Sequence, residues 1–347
     1  METIVSSVAP PNIALIKYWG KRDDLLKLPL NDSVSITLDE KTLASTTTLV
    51  LGAKLGKDRF ILNGKEGPDS HIAEALLLIR RRLGKKYPLI KKPVLLLSSN
   101  NFPTAAGIAS SASGFAALAQ AVAAAFGIKD KKEISILARL GSGSASRSVF
   151  GGFARWKAGR NKDGNDSHAV QIAPRSKWPE VVDVIAITNP ERKKVSSKDG
   201  MERTMRTSDL CHCRLGIVGK RADAVTRAIR SRDFSTMATL TMRDSNAMHA
   251  TMLDTWPPVM YMNDISRAIV YAVHEYNEKS GQTKAAYTFD AGPNAHIITT
   301  RKEAGKIARM LKKIPGVQRV IMAGVGEGSK AVETPKKTKQ LLKRLLS

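Results

Sequence analysis

A long uncharged stretch constrains the fold of this chain more than any other feature of its sequence. No charged side chain occurs between Lys92 and Lys129, although the chain holds 56 Lys and Arg against 31 Asp and Glu, a formal charge of +25. The stretch is long enough for a membrane span, but it contains Ser, Asn, Pro, Gly and Gln, and its second half is mainly Ala. This hydropathy is too weak for a membrane helix, so the sequence favours a buried segment of a globular fold.

The length and the cysteines bound the class of protein. A chain of 347 residues suggests two domains, or one large one, with an ample core. Cys211 and Cys213 are the only cysteines, and their close spacing is poor geometry for a disulfide that joins distant elements, which favours a reducing compartment. The first residues lack the pattern of a secretory signal. We therefore expect a cytoplasmic protein, with a peroxisome-like organelle as the alternative.

Hydrophobic periodicity predicts strands mixed with helices. Strands are expected at ASTTTLVL, RFILNG, VLLLSSN, VVDVIAIT, AAYTFDA, AHIITT and RVIMAG, and helices over 68–84, 115–127, 203–232, 234–250, 262–278 and 302–313. This order predicts α/β or α+β layers and excludes a helix bundle. The charged loop NPERKKVSSKDG follows a buried strand and is the expected boundary between domains at 1–188 and 189–347.

The uncharged stretch combines a strand, a glycine-bearing loop and an Ala-rich helix in the segment NNFPTAAGIASSASGFAAL. A first helical turn of Gly, Ala and Ser brings unpaired backbone N–H groups and the positive dipole end close to a ligand, as in a phosphate cradle. Ser110 and Ser111 add hydroxyls that suit phosphate oxygens or magnesium. Small residues also suit close helix packing, and the residues alone do not choose between these two interpretations.

Two further segments carry cations among small or apolar residues. GSGSASRSVFGG holds Arg147, whose planar fork can bind a carboxylate or phosphate through two hydrogen bonds, although a surface loop has a similar composition. NIALIKYWGKRDD places Asn12, Lys17, Tyr18 and Lys21 in close order. Taken alone, the second segment is slightly better explained by an apolar strand that ends in a solvated turn.

The remaining polar features allow several chemistries. Asp290 follows a strand in YTFDAGPNAH, a place where most aspartates cap turns. The Cys211–Cys213 segment offers too few ligands for a closed zinc site. The positive charge suits nucleic acid, anionic lipid or small anions, yet it is scattered, and no nucleic-acid module is recognisable. The basic segment KKTKQLLKRLLS is best explained as a solvated surface helix.

Several long motifs together resemble one family. APPNIALIKYWGKRD, NNFPTAAGIASSASGFAAL, GSGSASRSVFGG, DSNAMHA with PPVMYMND, and YTFDAGPNA are similar, in this order, to motifs of the diphosphomevalonate (mevalonate diphosphate) decarboxylases of the GHMP kinase superfamily. The resemblance implies a GHMP kinase fold, with an N-terminal domain like ribosomal protein S5 domain 2, a C-terminal ferredoxin-like domain and an active site between them. In such a fold the uncharged stretch is the phosphate-binding loop, which uses backbone dipoles and needs no lysine.

The resemblance also implies an activity. Members decarboxylate mevalonate 5-diphosphate with ATP and Mg²⁺, giving isopentenyl diphosphate, ADP, phosphate and CO₂, in the mevalonate pathway of isoprenoid and sterol biosynthesis. A homodimer is expected, with no nucleic-acid or membrane partner. The alternatives are a relative that acts on mevalonate monophosphate, a 3-kinase that stops before decarboxylation, and a basic nucleic-acid-binding protein that keeps the fold.

The motifs carry implied roles for individual residues. Asp290 resembles the base for the C3 hydroxyl, Arg147 the ligand of the substrate carboxylate, and Lys17 a group that assists at the reacting phosphoryl. The implied substrate ligands are Arg147, Asn12, which would hold Arg147, and Tyr18, Lys21, Ser142, Ser144 and Ser208. The implied nucleotide-binding residues are Ser98, Asn100, Ala105, Ala106, Gly107, Ala109, Ser110 and Ser111, and Ser110 is also the implied magnesium ligand.

Two positions depart from the family pattern. Asp32 stands where many members have Ser, and Ser146 stands where some have Cys. An extra acid near the substrate entrance leaves the local hydrogen bonding open.

Overall fold

A computed structural model describes residues 2–102, 110–188 and 194–346 and has a mixed α/β architecture, as predicted. Its strands are β1 (Thr3–Ala9), β2 (Asn12–Ile16), β3 (Lys21–Asp23), β4 (Leu28–Pro29), β5 (Ser33–Thr37), β6 (Ser45–Leu51), β7 (Arg59–Leu62), β8 (Lys65–Glu66), β9 (Val94–Asn100), β10 (Phe153–Trp156), β11 (Ala169–Ala173), β12 (Val181–Ile187), β13 (Ala285–Phe289), β14 (Ala295–Thr300), β15 (Arg319–Gly324) and β16 (Lys330–Val332). Every strand predicted from the sequence is confirmed.

The helices of the described residues follow their capping and burial patterns. They are α1 (Ser70–Leu83), α2 (Ser110–Ala125), α3 (Lys131–Gly141), α4 (Ala145–Ser148), α5 (Ser197–Thr207), α6 (Leu210–Ser231), α7 (Phe234–Leu253), α8 (Asp264–Ser280), α9 (Arg301–Lys312) and α10 (Lys336–Leu346). Asp69 caps α1 by accepting a hydrogen bond from the Ile72 N–H. Asn263 and Ser266 form a reciprocal capping box that starts α8.

The single helix predicted over 203–232 is wrong, because two helices occupy this region. The backbone of Ser208 is extended, with φ −92° and ψ 118°, and α6 starts two residues later. Asp254 accepts hydrogen bonds from the Ser208 hydroxyl and the Leu210 N–H, so a distant carboxylate stabilises the break. Helical periodicity alone does not reveal a break that depends on such a tertiary contact.

Three sheets organise the residues that the structure describes. The first has the order β16-β1-β6-β9-β7-β8, the second β11-β10-β5-β2 and the third β13-β14-β12-β15, while β3 and β4 form a separate ribbon. The pairing is antiparallel except between β7 and β9. In the third sheet every residue of β12 is buried, as expected for a strand covered on both faces.

Sheet membership differs from the predicted division of the chain after residue 188. Strand β12 pairs with β14 and β15, so it belongs with the C-terminal strands. At the other end, β16 pairs with β1, and Leu342 of α10 packs on the first sheet against a cluster that includes Val50 and Leu95. This pairing favours a division before β12, with the last strand and helix returning to the N-terminal half.

The largest hydrophobic core joins the two halves. It includes Ile13 and Ile16 of β2, Val184 of β12 and Phe289 of β13, together with buried faces of α6, α7, α8 and α9. A second core lies between the first sheet and helices α1, α2 and α3. Because the shared core holds the ends of β2 and β13 together, the polar residues that follow these strands can meet. Across the ranges that the structure describes, no helix is long and apolar enough to cross a membrane.

Candidate active site

Lys17 and Asp290 form the centre of a charged cluster between the two halves. Lys17 directly follows β2, and Asp290 directly follows β13. The Lys17 Nζ and the Asp290 Oδ1 are 2.6 Å apart; the Lys17 side chain is 1% exposed and that of Asp290 39%. A fully buried ammonium therefore supports a carboxylate that remains accessible from the cleft.

The pKa values of this pair favour an ionised Asp290. Burial by itself would raise the pKa of Asp290, but the charges of Lys17, His296 and Arg147 outweigh burial and hold it below its ordinary value. Burial lowers the pKa of Lys17 below its ordinary value, although Asp290 and Asp244 oppose this effect. The carboxylate can therefore accept a proton at neutral pH.

Arg147 is the second cation of the cluster and is held by its surroundings. The guanidinium is buried in the short helix α4; its Nε donates to the Asn12 Oδ1 at 3.0 Å and its Nη1 donates to the Ser33 Oγ. Asn12 in turn donates from its Nδ2 to the Ser144 carbonyl and the Ser148 Oγ. Among the described residues no hydrogen bond is recorded for Nη2, so Nη1 and Nη2 keep hydrogens for a ligand. Burial lowers the pKa of Arg147, opposed by Asp290.

The residues implied for a diphosphate lie near this cluster. The hydroxyls of Ser142 and Ser144 are 3.3 Å apart at the junction of α3 and α4. Tyr18 packs edge-on against Trp156 at 4.8 Å, and burial raises its pKa, so its hydroxyl stays protonated. A Cβ at position 143 would lie 2.6 Å from the Trp156 ring, so only a glycine at this position lets the loop between Ser142 and Ser144 pack this closely against Trp156.

Lys21 is already paired in the structure. Its Nζ lies 2.5 Å from the Asp24 Oδ1, while its side chain is 7% exposed. The hydrogen bond from Lys21 is the main reason that the pKa of Asp24 lies below its ordinary value. An ammonium has three donors, so Lys21 can bind an anion without giving up Asp24.

A cavity of about 210 Å³ beside α2 contains the other group of implied residues. Ser98 and Asn100 of β9 and Ser110 and Ser111 of α2 line it together. Its apolar wall consists of Leu62, Ile72, Leu96, Phe115 and Leu118. Such a mixture of a flat aromatic wall and polar edges suits a nucleobase. Ala105, Ala106, Gly107 and Ala109 lie outside the described residues.

Hydroxyl and amide oxygens at this cavity fit a hard cation. Ser110 is half-buried and lies at the start of the described part of α2, next to the exposed Ser111. Magnesium prefers oxygen ligands and commonly takes most of them from phosphates and water. Within the described ranges, no group of three or more His, Cys, Asp or Glu side chains could hold a metal. A magnesium ion here would therefore depend on Ser110 and on ligand phosphates.

Ser208 and Asp32 are bound to other protein groups. The Ser208 hydroxyl donates to the Asp254 Oδ2 at 2.8 Å, and within the described ranges it makes no hydrogen bond to Lys17 or Asp290. The Asp32 carboxylate accepts hydrogen bonds from Arg155 at 2.7 Å and from the Ala158 N–H at 2.8 Å. The charge of the extra acid at position 32 is thus balanced by Arg155 of the neighbouring strand β10.

Residues of α7 that belong to this site were not predicted from the sequence. Asp244, Ser245 and His249 lie on α7, and the motif DSNAMHA that contains them contributed to the resemblance without any assigned role. The Asp244 Oδ2 accepts a hydrogen bond from the Lys17 N–H at 2.7 Å, and the Ser245 Oγ accepts one from the Phe289 N–H at 3.0 Å. The signal available in the sequence was the motif itself, because the surrounding helix also holds Arg243, Asn246 and His249 and does not single out Asp244 and Ser245.

His249 adds a neutral imidazole next to the charged pair. Its Nε2 is buried and has no hydrogen-bond partner among the described residues, and its ring meets Phe289 edge-on at 6.2 Å. Burial, with the charge of Lys17, lowers its pKa to about 4. The ring is therefore neutral at physiological pH.

Comparisons with known proteins show which family the chain is similar to. Two family models match: the diphosphomevalonate decarboxylase-like N-terminal domain over residues 9–169 and the mevalonate 5-diphosphate decarboxylase C-terminal domain over residues 183–344. A diphosphomevalonate decarboxylase of Ganoderma lucidum is 48% identical over 321 residues, which cover 88% of this chain and 80% of that protein.

Solved structures extend the similarity to the fold. The mevalonate diphosphate decarboxylase from Trypanosoma brucei has a TM-score of 0.88 at 34% identity, covering 96% of this chain and 99% of the other. A structure described as MDDEF in complex with MVAPP, AMPPCP and magnesium has a TM-score of 0.87 at 35% identity, covering 96% and 100%. The predicted GHMP kinase fold is confirmed by these neighbours. With family models that match both halves of its length, the chain belongs to the diphosphomevalonate decarboxylase family.

Proposed function

We propose that this protein catalyses the ATP-dependent decarboxylation of mevalonate 5-diphosphate to isopentenyl diphosphate, with release of ADP, phosphate and CO₂. The observation that carries the proposal is the accessible Asp290 carboxylate supported by buried Lys17 and adjacent Arg147, in a chain of this family. The reaction belongs to the mevalonate pathway of isoprenoid and sterol biosynthesis.

The proton chemistry falls to Asp290. Its ionised carboxylate accepts the proton of the substrate's C3 hydroxyl as that oxygen takes up the γ-phosphoryl group of ATP. Lys17, 2.6 Å from the carboxylate, keeps Asp290 ionised and offsets negative charge at the reacting oxygens. General-base catalysis of this kind contributes about 10²–10⁴-fold to a rate.

Arg147 binds the carboxylate that is lost as CO₂. Its Nη1 and Nη2 hold the substrate carboxylate, while Asn12 and Ser33 fix the guanidinium plane. Departure of the C3 phosphate leaves positive charge at C3, and the electron pair of the breaking C–C bond forms the double bond. Arg147 must orient the carboxylate without removing the charge that drives its loss.

The substrate phosphates meet the remaining polar residues. Tyr18, Lys21, Ser142 and Ser144 bind the diphosphate, and the cavity beside α2 takes ATP with Ser98, Asn100, Ser110 and Ser111 at its edge. Ser110 would hold Mg²⁺, which supplies charge neutralisation between the phosphates. The complex of MDDEF with MVAPP, AMPPCP and magnesium supports this assignment. Ser208 enters the proposal only as a further residue that contacts the substrate.

The assembly and location follow from the family and remain to be measured. We propose a homodimer that acts in the cytoplasm and needs neither nucleic acid nor a membrane. Sedimentation of the purified protein and imaging of the tagged protein test these two points.

The test is an assay of the purified protein with ATP and Mg²⁺ that follows both CO₂ and isopentenyl diphosphate. Mevalonate diphosphate should give both products, and excess EDTA should abolish turnover. Phosphorylation without release of CO₂ would identify a 3-kinase that stops before decarboxylation. Preference for mevalonate monophosphate would identify a decarboxylase relative that acts on the monophosphate. Affinity for nucleic acid that exceeds affinity for ATP and falls steeply with salt would contradict the proposal.

A further inference from the structure

Helix α7 contacts both strands whose ends carry the Lys17–Asp290 pair. It packs against both β2 and β13. Lys17 follows β2 and Asp290 follows β13, and these two strands belong to different sheets. The distance between their side chains therefore depends on how α7 holds two strand ends that do not pair with each other.

On the β2 side, α7 holds the main chain of Lys17. The pairing of β2 with β5 ends at Ile16, so the N–H and C=O of Lys17 need other partners. The Asp244 Oδ2 accepts from the Lys17 N–H at 2.7 Å, while the Lys17 carbonyl accepts from the Arg214 Nη2 at 2.9 Å and from the Asn31 Nδ2 at 3.0 Å. Arg214 also donates to the Asp244 Oδ2 at 3.3 Å. Asp244 is completely buried, and its charge is balanced by Arg214 and Arg221.

On the β13 side, the next residue of α7 holds the last strand residue before Asp290. Strand β13 is an edge strand, so Phe289 has a backbone N–H that no strand receives. The Ser245 Oγ accepts this N–H at 3.0 Å, and Ser245 is completely buried. Asp244 and Ser245 are consecutive, so a single helical segment fixes both members of the ion pair.

We propose that Asp244 and Ser245 are positioning residues that set the separation of Lys17 and Asp290, and thereby the rate of the reaction. The consequence for the rate rests on the function proposed above. Neither residue touches the reacting atoms: Asp244 acts through the main chain of Lys17, and Ser245 acts through the main chain of Phe289, the residue before Asp290. A purely structural role would lower stability without lowering the turnover of the folded enzyme.

The primary test is Ser245→Ala, which removes one acceptor and leaves the charges unchanged. The kcat should fall on the order of tenfold, since misplacement by about 1 Å can cost up to about 100-fold. The KM values for ATP and for mevalonate diphosphate should change less than about twofold, because the binding residues are untouched. Ser245→Thr keeps the hydroxyl and should restore most of the kcat.

Ser7→Ala is the matched control. Ser7 is also completely buried, and its hydroxyl makes a 2.6 Å hydrogen bond to the Ala117 carbonyl, away from the ion pair. This variant should lose comparable stability and keep its kcat. An equal loss of kcat in Ser7→Ala, or a folded Ser245→Ala with normal kcat, would overturn the proposal.

Crystal structures of the variants provide a measurement that needs no activity. The separation of Lys17 Nζ and Asp290 Oδ1, 2.6 Å in the wild-type chain, should increase in Ser245→Ala and in Asp244→Asn. An unchanged separation in both variants would refute the positioning role. If the wild-type protein does not decarboxylate mevalonate diphosphate, the function proposed above fails, yet this separation still decides the role of α7. Ser245→Ala is sufficient if Asp244→Asn does not fold.

Discussion

Lys17 and Asp290 are 273 positions apart in the sequence and form a 2.6 Å ion pair where the two halves of the molecule meet. Lys17 is buried and Asp290 is partly exposed, so the lysine controls the ionisation of a carboxylate that a substrate can reach. Although each residue directly follows a strand, the ion pair gives both of them an electrostatic role beyond ending that strand.

Replacing Asp290 by Asn keeps the shape of the side chain and removes its basicity. If Asp290 is the base, kcat should fall by about 10²–10⁴-fold, with the affinity for ATP unchanged. The variant should also lose about 1–2 kcal/mol of stability, because buried Lys17 loses a charged partner that is itself 39% exposed and thus partly screened. Steady-state kinetics and urea unfolding measure the two effects.

Asp130→Asn is the control for the first prediction. Asp130 caps α3 by accepting a hydrogen bond from the Lys132 N–H, and asparagine caps a helix about as well. Near-normal turnover in both aspartate variants would show that Asp290 only caps a turn.

Replacing Arg147 by Lys should lower kcat/KM on the order of tenfold or more. A lysine keeps the charge but cannot donate to Asn12, Ser33 and a substrate carboxylate in one plane, and each charged hydrogen bond contributes about 1.5–3 kcal/mol. Arg80→Lys, which perturbs a two-bond contact with Asp58 elsewhere, is the matched control. Unchanged kinetics in Arg147→Lys would remove this residue from the site.

The pH profile should be limited on the alkaline side by Lys17. Burial lowers the pKa of Lys17 below its ordinary value of 10.5, whereas the pKa of Asp290 lies below its ordinary value of 3.8. The kcat should therefore fall as Lys17 loses its proton, at a pH below the ordinary lysine value of 10.5. In Lys17→Arg the decline should move to higher pH, because a guanidinium keeps its charge. A decline at the same pH in both proteins would assign it to another group.

The stability of the protein should fall in mildly acidic solution because of His249. Its pKa is about 4 in the fold and 6.5 ordinarily, so below pH 6.5 the unfolded chain binds the proton more tightly. The folded state then loses stability as the pH falls from 6.5 towards 4, by up to about 3 kcal/mol. In His249→Gln this part of the pH dependence should disappear in urea unfolding. His71→Gln, at a more exposed position, is the control; equal slopes in all three proteins would contradict the assignment.

The charge of +25 should accelerate the encounter with anionic substrates. Both proposed substrates are polyanions, so kcat/KM should decrease as the ionic strength rises from about 0.01 to 0.15 M, where the screening length shortens from about 30 to 8 Å. Because screening acts on encounter, kcat should change less than kcat/KM. A flat kcat/KM over this range would show that the basic surface has no role in catalysis.

The sequence by itself determined the elements and the residue types of the site. VVDVIAIT is rich in β-branched residues and VLLLSSN is a short apolar run, so both are predicted as strands, and α2 is helical because Ala dominates it. The motifs around Lys17, Arg147 and Asp290 could be recognised because each is local, with its charged residue and at least one glycine within a few positions.

Only the tertiary structure decided how these residues are combined. The pairing of β12 with β14, the return of β16 to β1 and the break at Ser208 depend on partners far away in the chain, which local patterns do not encode. The same is true of Asp244, whose place in α7 looked like an ordinary helical position. Its role became visible when folding buried its carboxylate against the Lys17 N–H, because a buried charge must find its partners in three dimensions.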